Sequence, residues 1–319
     1  FVSQERETAY SFVRRSLVYV GPGEMQRLVE QFYPRTVRDR LIRTVARERS
    51  IPTYRVMADS TARDDIQRLR RQTLLMGLSD GARIDTIRHT NSGLLSNEQL
   101  VHGAQVDTDK WEDLRNNLRK DLGDENAGFR LVYLIDDFAG TGTTFFRPDT
   151  KKKWAGKLMR FRESAKAATD DLGSIFTDNW ELCIHHYVVS ASAAQNINSR
   201  LLEAQDALAG HGWAKTVHAS FGMILPDDFP INSVQGRHDD FIGLTKKYYD
   251  PIIETEHTKK GGVDHLGLGY GGCALPLVLD HNTPNNAIAL LWAESDGGQR
   301  NGVATSPMRP LFRRRQRHV

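Results

Sequence analysis

The sequence predicts an α/β protein: a doubly wound, mainly parallel sheet, with a helical block before it and an extension after it. Two observations lead there. Short apolar runs of strand length recur at residues 73–78, 131–135, 182–190 and 216–225, each separated from the next by helix-patterned sequence. The run at 131–135 is also continuously apolar, as expected of a strand buried on both faces, and 73–78 reads as another buried strand. Residues 1–58 read as an N-terminal helical block, 59–225 as the α/β core, and 226–319 as an added lobe with a basic tail.

Composition narrows the class. The chain has 319 residues, 39% hydrophobic and 26% charged, with a net charge of +3, too mild to imply nucleic-acid binding by itself. Two cysteines, Cys183 and Cys273, argue against a disulfide scaffold and for a reducing, cytoplasmic setting. No apolar run approaches the roughly 20 residues of a membrane span, so no membrane role is expected. There is no signal-peptide pattern, and the chain opens on Phe1 rather than Met, which leaves room for residues upstream.

In chain order, Met25, Leu28, Val29 and Phe32 recur at helical spacing after the turn Gly21-Pro22-Gly23. Residues 35–49 continue as helix, with Val37, Leu41, Ile42 and Val45 on one face and Arg35, Arg38, Arg40, Arg43, Arg47 and Arg49 on the other. Such a basic face is more often solvated than bound to nucleic acid. Residues 59–71 form the next helix, capped by Asp59 or Ser60. The strand at 73–78 then runs into Ser79, Asp80, Gly81, Ala82 and Arg83, followed by a helix to Arg88 or His89. That loop is either an anion-binding turn or a plain strand–helix corner capped by Asp80.

The central stretch is residues 131–146, Leu-Val-Tyr-Leu-Ile-Asp-Asp-Phe-Ala-Gly-Thr-Gly-Thr-Thr-Phe-Phe. Two carboxylates, Asp136 and Asp137, follow the apolar run at its C-terminal end, where open α/β sheets place their ligands. Ala139, Gly140, Thr141, Gly142, Thr143 and Thr144 come next. Small residues let backbone amides close around an anion, and a helix starting just after would add its positive end. The set suits a ligand with a sugar diol and a phosphate. A Walker loop needs Gly-Lys-Ser/Thr and is absent, and Gly-x-Gly-x-x-Gly fails at its third glycine.

This stretch resembles the phosphoribosyl pyrophosphate (PRPP) signature of type I phosphoribosyltransferases. The resemblance implies that Asp136 and Asp137 bind the ribose hydroxyls, that Ala139 to Thr144 wrap the 5′-phosphate, and that Ser79 to Arg83 form the pyrophosphate loop. It also implies Mg²⁺ held largely through PRPP, with no residue singled out as a metal ligand, and a hood that sets acceptor specificity. The hood's counterpart would be the C-terminal segment, where four glycines in residues 267–272 precede Asp280, His281 and Asn282. Asp280 and His281 are the candidate catalytic base residues, the alternative being a tight loop in which Asp280 and Asn282 satisfy backbone groups.

Purine-salvage members carry an aspartate where this chain has Gly140, so a hypoxanthine or guanine salvage role is not expected. The whole chain looks more like the phosphoribosyltransferase-like effectors of bacterial antiphage systems, including retron-linked ones. That likeness implies a defence partner, a reverse transcriptase with its RNA–DNA product, and the fold's habit implies a homodimer. Three readings stay open: a phosphoribosyl transferase, a PRPP or nucleotide sensor without turnover, and a nucleic-acid-associated subunit gripping phosphate through the basic helix 35–49 and the tail from Arg309 to His318. Lys151–Lys153, near the Gly/Thr turn, either attract a polyanion or, more often, form a solvated face. His185 and His186, neighbours on a strand, point to opposite faces and make poor joint metal ligands.

Overall fold

The computed structural model describes residues 1–149, 153–208, 210, 213–255, 258, 261–300 and 303–312. Lys151, Lys152 and the tail beyond Phe312, all named above as candidate polyanion contacts, lie outside the described residues. The chain clusters into two compact units. One comprises residues 26–189 and 194–224, and the other residues 1–25, 190–193 and 225–319.

In chain order the elements are α1 (Ser3–Ser16), β1 (Val18–Val20), α2 (Pro22–Phe32), α3 (Arg38–Arg49), α4 (Thr53–Val56), α5 (Ser60–Arg71), β2 (Thr73–Gly77), α6 (Ile84–Thr90) and β3 (Leu100–Val101). There follow α7 (Thr108–Leu122), β4 (Phe129–Ala139), β5 (Arg147–Pro148), β6 (Trp154–Ala155), α8 (Lys157–Leu172), β7 (Phe176–Ser190), α9 (Ala191–Glu203), β8 (Thr216–Leu225) and β9 (Leu277–Leu279). Helices α2 and α3 are joined by a π-turn, Tyr33–Val37, which carries Pro34. A proline has no N–H to give an α-helical bond, and a widened turn accommodates that loss.

The larger unit holds the expected sheet. Its five strands run β3-β2-β4-β7-β8, and β2 pairs in parallel with both β3 and β4, as β4 does with β7. Lys215 N donates to Trp180 O and Ser220 Oγ to Ile184 O, which brings β8 alongside β7 in the same direction. Every residue of β2 is buried, as are Leu131 to Asp136 of β4. That is the continuous apolar pattern of a sheet covered on both faces.

Around it, Asp59 caps α5 by accepting from Ala62 N at 2.9 Å, and Asp107 caps α7 by accepting from Lys110 N at 2.9 Å. Trp111 of α7 packs edge-on against Phe176, which stacks on Trp180 at 4.5 Å. Much of α3's basic face is occupied within the protein. Arg40 and Arg47 both reach Glu181 of β7, Arg43 pairs with Asp39, and Arg49 pairs with Asp65.

Three sequence expectations are corrected here. The third strand begins at Phe176 rather than 182, because its first residues continue the pairing with β4 past an irregularity at Phe129–Leu131. The acidic pair lies inside β4 rather than beyond it, since β4 stays paired to β7 as far as Ala139. No helix follows the Gly/Thr turn directly. The small hairpin of β5 and β6 intervenes, and α8 starts at Lys157.

In the second unit, β1 and β9 form a two-stranded parallel pair, Val18 opposite Leu277 and Val20 opposite Leu279. Phe12 of α1 stacks on Phe241 at 3.6 Å, and both belong to a buried cluster with Leu244, Tyr270, Leu291 and Trp292. Residues 1–25, grouped by sequence with the helical block, thus cluster with the C-terminal segment, while residues 26–58 cluster with the sheet. Gly269 has to be glycine. Its φ is +80°, and a Cβ would lie 2.4 Å from Asn286 O and 2.6 Å from Ala287 O.

Candidate functional site

Asp136 and Asp137 sit near the C-terminal end of β4, and because neighbours on a strand alternate in direction their surroundings differ. Asp136 is buried, 4% exposed, and ion-paired to Lys157 at the first position of α8. It also accepts from Ser79 Oγ of the loop after β2. Burial pushes its carboxyl above the usual range, the Lys157 ammonium opposes this, and the Asp137 charge adds to it. Asp137 is half-buried, and its Oδ1 accepts from Phe138 N at 2.8 Å.

The loop Ser79–Arg83 is drawn tightly onto this pair. Leu78 N donates to Ile135 O of β4, and Tyr187 of β7, fully buried, donates its hydroxyl to Ala82 O at 2.9 Å. Asp80–Ala82 form a 3₁₀ turn, and Arg83 adopts the left-handed conformation at φ 50°. Gly81 is where the approach is closest. A Cβ there would lie 2.3 Å from Asp137 Oδ2 and 2.4 Å from its Cγ.

Residues Gly140 to Thr144 turn sharply at Gly142, φ +72°. Thr141 and Thr143 share a hydroxyl hydrogen bond at 2.6 Å, and Thr143 N donates to Thr141 Oγ1. From α9, Asn196 Nδ2 and Arg200 Nη1 donate to Thr141 O, and Arg200 also reaches Phe146 O at 2.9 Å. Arg147 Nη1 donates to Thr143 O. The turn is therefore held through its carbonyls. The first amides of α8, Lys157 and Leu158, donate to Thr144 O and Phe145 O. Two amides of that helix end thus serve the turn's own carbonyls.

Beneath the site, His186 of β7 stands opposite Asp136 in register, its ring edge-on to Phe145 at 5.5 Å. Both of its nitrogens are buried without a hydrogen-bond partner. Its neighbour His185, on the other face, binds Ser220 Oγ at 2.9 Å. Burial lowers both imidazoles to about 3.

Sequence reasoning brought residues 79–83, Asp136, Asp137 and 139–144 together, and all lie in the larger unit. It missed Lys157, Asn196 and Arg200, which reach the site only through the fold. Asp280 and His281 belong to the other unit, where His281 Nδ1 and Asp280 Oδ1 meet at 2.8 Å. The two neighbours pair at a tight turn in which Leu279 and Asn282 exchange backbone hydrogen bonds.

The acidic pair, the close-drawn loop after β2 and the Gly/Thr turn thus gather at the C-terminal ends of adjacent parallel strands, where open α/β sheets place their ligands. The family model PRTase-CE, of phosphoribosyltransferase type, matches residues 4–314, nearly the whole chain. The chain belongs to the PRTase-CE family. No curated protein and no solved structure matches it. As a PRTase-CE member it is a phosphoribosyltransferase-like protein, and none of its described helices is long and apolar enough to cross a membrane.

Proposed function

We propose that this PRTase-CE protein is an Mg²⁺-dependent enzyme that transfers phosphoribose from PRPP to an acceptor. The observation that carries this reading is the close approach of Gly81 to Asp137: a loop backbone laid directly against the carboxylate that this reading assigns to the ribose. In the transfer, the bond between the anomeric carbon and pyrophosphate oxygen breaks, with its electron pair leaving on pyrophosphate. The acceptor's lone pair forms the new bond on the opposite face, and the acceptor's proton goes to a base. Asp137 would orient the ribose hydroxyls, the 79–83 backbone would face the leaving pyrophosphate, and Ala139 to Thr144 would hold the 5′-phosphate.

With Asp136 already paired to Lys157, Asp137 is the carboxylate that would contact a hard cation, which would be held mainly by substrate oxygens and water. When bound, Mg²⁺ would neutralise charge on the leaving pyrophosphate. The antiphage effector role, a reducing cytoplasmic setting and a defence partner belong to the same reading. Support for them is the whole-chain resemblance and the low cysteine content of the sequence.

One observation favours a second reading, binding without turnover: Asp136 has Ser79 on one oxygen and Lys157 on the other. Thermal denaturation with Mg²⁺ and PRPP, followed by a pyrophosphate-release assay, separates the two. A ligand at about 100 times its Kd stabilises the fold by about 2.7 kcal/mol. The native protein is expected to shift, and Asp137→Asn to lose both the shift and release. No shift in the native protein sinks both readings, and a shift with no release under any acceptor tried leaves the sensor.

Gly81→Ala is expected to weaken PRPP at least about tenfold, the Cβ displacing Asp137 from the ribose. Titration of the thermal shift against PRPP measures this, and an unchanged midpoint concentration would show that the 79–83 loop does not face the ligand.

A further inference from the structure

The Gly/Thr turn is held from behind through its carbonyls, and that fixes which of its amides face forward. We propose, resting on the PRPP reading, that Arg200 and Arg147 are positioning residues, assisted by Asn196. They aim the amides of Gly142 and Thr144 at the 5′-phosphate of the substrate.

In a trans peptide the C=O of one residue and the N–H of the next lie in one plane and point in opposite directions. Every described peptide bond of the chain is trans. Arg200 Nη1 and Asn196 Nδ2, one turn apart on α9, make two longer contacts to Thr141 O, at 3.4 and 3.3 Å. The amide of that peptide belongs to Gly142, so it points away from α9. Arg147 Nη1 donates to Thr143 O at 3.1 Å, which turns the Thr144 amide away from Arg147 in the same manner. Arg200 Nη1 also donates to Phe146 O at 2.9 Å, so one guanidinium ties the start of the turn to its end.

Neither forward amide has a hydrogen-bond acceptor among the described residues. Gly142 is buried as well, and buried backbone N–H groups in folded proteins nearly always have an acceptor, because going without one is costly. A phosphate oxygen would supply it. Neighbouring amides are already engaged: Thr143 N on Thr141 Oγ1, Phe146 N on Gly142 O, and Lys157 N and Leu158 N on Thr144 O and Phe145 O. Charge points the same way. Arg147 and Arg200, both half-buried, set two guanidiniums behind the turn, where their field favours a dianion in front of it. Neither needs to touch the ligand, since each acts through the peptide it holds.

Calorimetric titration of the full chain with ribose 5-phosphate, and separately with PRPP and Mg²⁺, tests this, with thermal denaturation confirming that each variant folds. Arg200→Met and Arg147→Met are each expected to weaken ribose 5-phosphate about tenfold, as small misplacements of binding groups do. Arg200→Lys should recover part of that loss, because an ammonium keeps the charge but not the fixed geometry of the guanidinium. Amide NMR spectra identify the donors directly. Ribose 5-phosphate should shift the Gly142 and Thr144 resonances of the native protein. Shifts elsewhere in the turn with these two unmoved would overturn the assignment of the amides. Both methionine variants binding ribose 5-phosphate as tightly as a native protein that also binds PRPP would overturn the positioning role and leave the PRPP reading standing. Native protein that binds neither ligand would overturn both.

Discussion

Asp136→Asn is expected to destabilise the larger unit by about 3–5 kcal/mol, the usual result of removing one partner from a buried ion pair. Lys157 is the reason. Its side chain is only 15% exposed, and Asp136 is the carboxylate paired with it. The amide keeps the shape but leaves the ammonium without an opposite charge. Lys157→Met should cost clearly less. It strands a carboxylate that burial and Asp137 already push toward protonation, so that group can take up a proton and lose its charge. The double variant Asp136→Leu/Lys157→Met should recover most of the loss, because a well-packed apolar pair is often as stable as a buried ionic one. Urea midpoints of the three variants measure this. Equal losses for the two single variants would mean that the pair is solvated. The same comparison bears on function, since Asp137→Asn should abolish PRPP binding with little loss of stability, while Asp136→Asn does the reverse.

That division of labour between two adjacent aspartates could not be read from the sequence. The pattern of apolar runs was enough to place β2, β4, β7 and β8 in one parallel sheet. Burial on both faces marks β2 and the middle of β4, whereas β8, at the edge, is buried only at Leu225. The Gly/Thr turn and the 79–83 loop were legible for a related reason: glycine at Gly81 and Gly142 reports a local backbone demand. Lys157 was not legible, since a lysine opening a helix looks solvated until the fold brings it to Asp136. The ending of β4 was misplaced because Asp136 and Asp137 look like strand-breaking polar residues, yet pairing with β7 carries the strand through them. The arginines of α3 show the converse. A stripe that could have faced nucleic acid is largely matched to Glu181, Asp39 and Asp65, partners that sequence spacing does not reveal for Glu181 and Asp65. The meeting of Asp280 and His281 likewise depends on the turn at Leu279–Asn282, a matter of backbone geometry.

Acid should unfold the larger unit steeply, and the two buried histidines set the slope. His185 is 1% exposed and His186 is 0% exposed, and both are lowered to about 3 from an unfolded value near 6.5. An imidazole depressed in the folded state contributes stability that is present above its unfolded pKa and lost as pH falls below it. Between pH 6.5 and 4 each therefore removes up to about 1.4 kcal/mol per pH unit, about 2.7 together. Asp136 acts with the opposite sign. Its folded pKa is raised, so it favours the folded state as pH falls toward the unfolded carboxyl value near 4, by at most one proton's worth. Two protons against one leave a net loss of up to about 1.4 kcal/mol per unit where Asp136 titrates, and up to about 2.7 where it does not. Unfolding free energies from urea titrations at pH 7.5, 6.5, 5.5 and 4.5 check this. His186→Phe, whose ring would lie beside Phe145 and Phe221, leaves no buried polar nitrogens and should lower the slope by one proton. His185→Phe should do the same at some cost in stability, because it breaks the bond to Ser220. A slope unchanged by either substitution would mean that both imidazoles reach solvent in the folded protein and take up their protons there.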